Sequence, residues 1–334
     1  MAIVISGSSG FVGQALIQHL HSQVIGRDQG IVALCRRLPK APIDGVEYQL
    51  IGNWNCDQLS ATINAGDSIV HLAGRAHQGH KCPMEEAKLQ EQSHLTLSKE
   101  LANAAKSKRA KRFIYISSAK VFAENSDGNA QAFAQESDVR PADPYSKAKW
   151  KTEQWLESFC SLNQLELIIL RPGLIYDRHA KGNIAKLQAL INSGLPLPFA
   201  GLNKRRDMIS LANLCHLIEH CIKCPPPTRH TFIAADDSPL SSRELILLLA
   251  KAEGKKARLF QLPKWLLQLL MRLPAFNQQW SKLSSEFALD SQQSKQQLNW
   301  QAPFTAEQSL LEHSFCTAKE AQHGPQQNSR DVVQ

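Results

Sequence analysis

The sequence predicts an α/β protein: a doubly wound parallel sheet with helices on both faces, joined to a smaller and less regular α/β second domain. Three observations lead there. Short β-branched runs at residues 2–6, 31–35, 68–72, 113–117 and 167–170 alternate with helix-length segments through the first half of the chain. Strands separated by helices form right-handed βαβ units and therefore a parallel sheet. The runs are apolar nearly throughout, as strands covered on both faces must be. After Arg171-Pro172 the regularity breaks, and Gly182, Gly194, Pro196, Pro198, Gly201 and Pro225-Pro226-Pro227 mark loops. The expected division is a sheet domain over 1–172 that also takes back part of 207–235, a second domain with interleaved segments over 173–316, and a disordered, Gln-rich tail over 317–334.

Composition narrows the function classes. The chain has 334 residues, 38 Lys+Arg against 30 Asp+Glu for a net charge of +8, and 43% hydrophobic and 20% charged residues. That is an ordinary globular balance, which excludes collagen-like, coiled-coil and wholly disordered chains. No apolar stretch approaches the roughly 20 residues that span a bilayer. The start, Met1-Ala2-Ile3-Val4-Ile5-Ser6-Gly7, has no basic region before its apolar run, so it reads as a first strand, and the protein is expected to be cytoplasmic. The basic clusters Arg36-Arg37, Lys106 to Arg112, Lys204-Arg205-Arg206 and Lys255-Lys256 lie far apart and are not interleaved with aromatics. This argues against nucleic acid and for phosphorylated small molecules.

Eight cysteines without a framework spacing point to reduced thiols. Cys221-x-x-Cys224 with His216 and His220, and His77 with His80 and Cys82, come nearest to a zinc site. Both lack a second ligand pair, so no metal is expected, and the Cys221 cluster reads as an unorganised group on a helix end. Residues 262–273 are apolar nearly all round but too short to span a membrane. A buried or partner-covered helix is the favoured reading, and a helix lying on a membrane surface, with Lys264 and Arg272 snorkelling from its ends, is the other.

The chemistry begins at the first turn. Strand 2–6 runs into Gly7-Ser8-Ser9-Gly10-Phe11-Val12-Gly13 and then a helical pattern. Glycines three apart between a strand and a helix let backbone amides approach a pyrophosphate at the positive helix end. Gly7, Gly10, Phe11, Val12 and Gly13 are therefore expected to contact a dinucleotide, with a ligand-free tight turn as the alternative. An NAD site usually places an acid about 20 residues further on. Here the second strand ends in Cys35-Arg36-Arg37 instead. A guanidinium there attracts the 2′-phosphate of NADP, so NADP(H) is preferred over NAD(H), with Arg36 as the contact; a solvated arginine pair is the other reading. In Asp143-Pro144-Tyr145-Ser146-Lys147-Ala148-Lys149, Asp143 caps a helix on which Tyr145 and Lys149 share a face. An ammonium near a phenol favours the phenolate, so the pair can act as an acid/base. The run 113–117 ends in Ser117-Ser118 at the carboxyl edge of the sheet, where ligands bind, and Ser118 is the chosen hydrogen-bonding hydroxyl.

With these residues in place, the chain resembles the extended short-chain dehydrogenase/reductase family, in its nucleotide-sugar epimerase and 4-ketoreductase branch. The matching motifs are Gly7-x-x-Gly10-x-x-Gly13, His71-Leu72-Ala73-Gly74, Ser117-Ser118-Ala119-Lys120-Val121, Tyr145-x-x-x-Lys149 and Arg171-Pro172-Gly173-Leu174-Ile175-Tyr176. Further matches are Lys181-Gly182-Asn183, residues 194–199 and Arg205-Arg206-Asp207-Met208-Ile209. The resemblance implies a Rossmann-like fold and Tyr145 as acid/base, Lys149 as activator and ribose ligand, and Ser118 as partner of the substrate oxygen. It also implies cofactor contacts from Asn53, Leu72, Ala73, Gly74 and Pro172. His77, Asn183 and Arg206 would contact a UDP-sugar, and a homodimer would form through the Tyr145 helix, with Trp150 and Trp155 as aromatic area.

Three departures stand out: His94 where the family commonly has Asn, uncharged Asn53 where it has an acid, and Asp177-Arg178 where a glycine is usual. Ala119 and Lys120 follow Ser118 where dehydratases carry acids, so elimination of water is not expected. The leading expectation is an NADPH-dependent reductase of a UDP-4-keto-6-deoxy-N-acetylhexosamine in surface-polysaccharide (lipopolysaccharide) synthesis. A UDP-hexose or UDP-N-acetylhexosamine 4-epimerase is the alternative, and a non-catalytic cofactor-binding sensor is the third reading.

Overall fold

The computed structural model describes residues 1–23, 29–75, 83–123, 126, 132–180, 182–227 and 229–315. Its frame is a parallel sheet of seven strands. In chain order the first six are β1 (Ala2–Ser6), β2 (Gly30–Cys35), β3 (Val46–Leu50), β4 (Ser68–His71), β5 (Arg112–Ile116) and β6 (Glu166–Pro172). Three shorter strands follow, β7 (Leu174–Tyr176), β8 (Arg205–Arg206) and β9 (Met208–Ser210), then β10 (Thr231–Ala234) and β11 (Leu240–Ser241). The large sheet has the order β10-β6-β5-β4-β1-β2-β3. The chain winds one way from β1 through β2 to β3 and the other way from β4 through β5 to β6. The crevice between the carboxyl ends of β1 and β4 is thus the switch point at which open α/β sheets bind ligands.

Period-two alternation divides the strand side chains between two cores. Ile3 and Ile5 join Leu16, Ile17, Leu214 and Leu217, from the helices Phe11–Ser22 and Leu211–Lys223, on one face. Val4 and Ile69 join Leu101 and Leu156, from the helices Leu97–Ser107 and Pro144–Asn163, on the other. Trp155 stacks on Phe159 at 4.6 Å and Trp150 lies beside Arg171, so both tryptophans already pack within the chain.

The second region is smaller. β7 pairs with β9 and β8 with β11, and the helices Asn183–Asn192, Ser242–Ala252 and Ala306–Leu311 close a third core around Ile184, Leu187, Ile246 and Leu249. Its junction to the sheet is a buried polar hub. The Asp236 carboxylate accepts from Tyr176 Oη at 2.7 Å, Ser210 N at 3.1 Å and Asn213 Nδ2 at 2.7 Å. Asn213 in turn exchanges hydrogen bonds with the backbone of Phe304.

Two expectations are corrected. Cys221 and Cys224 are not an unorganised cluster: their carbonyls close the end of a helix over the buried Arg112 guanidinium, which also pairs with Glu166 at 2.7 Å. Of the reading of 262–273 as a buried or partner-covered helix, the buried half is corrected. Its helical part, Lys264–Leu270, contains no buried residue. Burial was expected because the run is apolar on every side, but only one side meets the protein. Residues 317–334 lie outside the described residues, and among the described residues no helix is long and apolar enough to cross a membrane.

Candidate active site

The site is built at the switch point. Gly7 takes a left-handed φ of +73°, and a Cβ on it would lie 2.6 Å from Ala73 N and 2.7 Å from Leu72 C. A Cβ on Gly13 would lie 2.3 Å from Gly7 O. Only glycine permits the helix Phe11–Ser22 to start this close under the loop, and Leu72-Ala73 forms the opposite wall. Gly10 caps the helix without a side-chain bond, which leaves the first-turn amides of Phe11, Val12 and Gly13 directed at the crevice. This cradle fits a dinucleotide pyrophosphate. Gly13→Ala is expected to cost about 1–3 kcal/mol of stability and to weaken nucleotide binding; unchanged affinity in a fluorescence titration would remove the loop from the site.

Beneath the loop a buried polar chain ties two strand ends together. Ser6 Oγ bonds His71 Nδ1 at 2.6 Å, and His71 Nε2 bonds Ser98 Oγ at 2.8 Å. Burial, helped by the charge of Lys149, pushes the His71 pKa down to about 3, so it stays neutral and structural. Sequence reasoning missed Ser6 and Ser98. Their signal was a hydroxyl ending an otherwise apolar strand and one on an otherwise apolar helix face.

Ser118, Tyr145 and Lys149 assemble where β5 meets the helix Pro144–Asn163. Asp143 and Ser146 form a reciprocal capping box with Pro144 in the first turn, which fixes the helix start. Ser118 follows β5, caps the turn Ala119–Val121, and lies close enough to the Tyr145 phenol to favour its ionised form. Ser117 is buried, so Ser118 is the hydroxyl presented to the crevice. Lys149 Nζ donates to Ile116 O at 2.6 Å and lies 5.9 Å from the Tyr145 ring centre.

One electrostatic expectation is overturned. The Lys149 ammonium was expected to bring the phenol toward ionisation. Instead burial, reinforced by the Asp143 charge, raises Tyr145 to about 12, with the Ser118 hydrogen bond opposing. The same burial lowers Lys149 to about 7, against the nearby Glu153 carboxylate. In the protein alone the pair is a phenol beside a partly charged amine.

His94 stands in a one-turn π-helix, Gln92–Thr96, of the kind found at functional sites. Its ring meets Tyr145 edge-on at 5.4 Å, its Nε2 donates to Arg75 O at 3.1 Å, and burial first and Lys149 second hold it neutral, with a pKa near 2. It also explains Gly74, where a Cβ would lie 2.2 Å from the imidazole Cε1. The larger ring in place of an amide is thus accommodated by a glycine on the facing loop.

The other candidate residues are less gathered. Arg36 is exposed just past the end of β2, and Ser8 Oγ bonds Leu34 O at 2.7 Å to hold that strand against the glycine loop. Asn53 is exposed beyond β3, and its backbone amide is used by Gln58. Pro172 is buried at the end of β6. Asn183 is exposed at the start of its helix. Arg206 Nη1 donates to Lys282 O at 3.2 Å and Ser285 O at 3.0 Å, which anchors the 282–287 segment to β8. His77, and with it His80 and Cys82, lies outside the described residues. Asp177 is buried, accepting from His179 N at 2.7 Å and Ser314 Oγ at 3.0 Å, and so ties down the end of the described chain. Among the described residues no group of three or more His, Cys, Asp or Glu is placed to hold a metal.

A parallel sheet with a glycine loop at its switch point and a Ser-Tyr-Lys group beside it defines a dinucleotide-binding fold of the short-chain dehydrogenase/reductase kind. The chain belongs to the NAD dependent epimerase/dehydratase family, whose profile matches residues 3–228. It is 29% identical over 311 residues to a UDP-glucose 4-epimerase of Vibrio cholerae, covering 92% of each chain. In fold it is similar to the UDP-N-acetylglucosamine 4-epimerase of Bacillus cereus, with a TM-score of 0.72, 18% identity and coverage of 93% of this chain and 94% of that one. It is likewise similar to a Bacillus cereus UDP-glucuronic acid 4-epimerase solved with NAD, at a TM-score of 0.71, 17% identity and coverage of 93% and 94%.

Proposed function

We propose that this enzyme is a UDP-sugar 4-epimerase working through bound NAD. The observation that supports it most is the Ser118, Tyr145 and Lys149 group beside the glycine loop, in a chain that matches a UDP-glucose 4-epimerase along 92% of both lengths. This replaces the reductase as the leading reading. NAD bound in the cradle would accept a hydride from C4 and return it to the opposite face. Tyr145 Oη takes the proton of the C4 hydroxyl as the carbonyl forms and gives it back when the carbonyl is reduced. Ser118 Oγ holds the C4 oxygen against Tyr145 through both half-reactions. Lys149, once charged, stabilises the phenolate. Asn183 and Arg206 are assigned to the UDP diphosphate, with Arg206 offering a planar fork.

One observation keeps a second reading in play: the acid of an NAD site is missing, and Arg36 is exposed past β2. That favours NADPH and a reductase that releases its cofactor. The test is to denature the purified protein and identify the nucleotide released. A stoichiometric amount of NAD supports the epimerase. Nucleotide-free protein that binds NADPH more tightly than NADH, with the preference lost in Arg36→Ala, reinstates the reductase.

A further inference from the structure

From Gly254 to Ser285 the chain carries six Lys or Arg (Lys255, Lys256, Arg258, Lys264, Arg272 and Lys282) and no Asp or Glu. All six are exposed. Six positive charges thus sit in 32 consecutive residues of a chain whose whole net charge is +8. Composition alone would make this a solvated basic surface, but the same segment also exposes its apolar side chains. Phe260 is 44% exposed, Trp265 67%, Leu269 52% and Leu273 57%.

Local structure explains the arrangement. Phe260 exchanges backbone hydrogen bonds with Leu197 and Ala200, which holds the start of the segment on the second core. Lys264–Leu270 is helical, so Trp265 and Leu269, four apart, lie one above the other on one face, and Leu273 continues that line just past the helix end. Leu266, Leu267 and Leu270 are half-buried on the adjoining side, and Phe276 and Trp280, stacked at 5.6 Å, lie in the following helix, where Trp280 reaches the core. The helix therefore has one apolar face toward the protein and a second toward solvent, with a cation at each end, Lys264 and Arg272.

We propose that this face docks on an anionic lipid bilayer, with Trp265, Leu269 and Leu273 entering the headgroup boundary and Lys264 and Arg272, at the two ends of that line, meeting lipid phosphates. An exposed tryptophan flanked by Lys and Arg is the chemistry of an interfacial segment. A second copy of this chain fits poorly, because a twofold contact centred on this helix would set Lys264 and Arg272 against the same pair with no acid within the segment to pair them. Arg206 anchors Lys282 and Ser285.

The experiment is co-sedimentation of the full chain with vesicles of phosphatidylcholine plus phosphatidylglycerol, against vesicles of phosphatidylcholine alone. Binding only to the anionic vesicles, falling with added salt, is expected. Trp265→Ser and Lys264→Glu/Arg272→Glu should each reduce it about tenfold or more with unchanged Tm, since every substituted side chain is exposed. Protein that stays in the supernatant overturns the proposal. So do equal binding to neutral vesicles and variants that sediment like the wild type. A wild-type dimer that Trp265→Ser converts to monomer without lipid would assign the face to self-association instead.

Discussion

Replacing Tyr145 with phenylalanine is expected to lower kcat about 10²–10⁴-fold while leaving nucleotide affinity and Tm close to those of the wild type. The ring position is determined by contacts that phenylalanine keeps, including the edge of His94 at 5.4 Å and the capped start of the helix. Only the hydroxyl and its interaction with Ser118 are lost. Because that oxygen exchanges the substrate proton in both the epimerase and the reductase schemes, the prediction does not depend on which operates. Steady-state kinetics beside a nucleotide titration separate the effects. A variant that turns over like the wild type would take proton transfer away from Tyr145, and activity absent from both proteins with nucleotide binding intact would favour the sensor.

The second large effect is on stability. Arg171 donates through Nε and Nη2 to Glu153, at 3.2 Å and 2.6 Å, and the two side chains are 5% and 0% exposed. The guanidinium also lies over the rings of Phe122 and Trp150, at 4.9 and 5.5 Å. Arg171→Met leaves a buried carboxylate unpaired, and about 3–5 kcal/mol of stability should be lost. Burial, with a smaller contribution from the Glu157 charge, raises the Glu153 pKa, and Arg171 is the main group opposing it, so the single variant also drives Glu153 toward the neutral acid. Adding Glu153→Gln removes the uncompensated charge and should recover much of the loss. Urea unfolding of the three proteins decides it, and a double variant no more stable than Arg171→Met would show that packing on Phe122 and Trp150, not charge, dominates. The pair stands one helical turn from Lys149, so its integrity also sets the field in which that amine titrates.

How much of this was legible in the sequence depended on whether the signal was local. The glycine loop was readable because its function lies in backbone geometry that only glycine allows: Gly7 at positive φ and Gly13 against Gly7 O. The helix carrying Tyr145 and Lys149 was readable because Asp143 and Pro144 mark its start. β3 was overlooked because Val-Glu-Tyr-Gln-Leu alternates at the sheet edge instead of being uniformly apolar, and β10 because only four residues separate its neighbours from loop. β10 also pairs with β6 some 62 residues earlier, a non-local fact. The protonation of Tyr145 was misjudged for the same reason: spacing showed the ammonium, but the burial that outweighs it comes from packing around the crevice. The 262–273 run shows the converse limit on its buried reading, since an apolar composition says that a surface wants cover without saying that this chain supplies it.

The central claim is two-way hydride transfer at C4 of a UDP-sugar, and one measurement addresses it directly. The purified full chain is incubated with UDP-glucose, and separately with UDP-N-acetylglucosamine, without added cofactor, and the sugar protons are followed by NMR. The account predicts that the C4 epimer of at least one of them accumulates to equilibrium with no net NADH formed. Protein that leaves both sugars unchanged, yet consumes NADPH in step with reduction of a UDP-4-keto sugar, would contradict it.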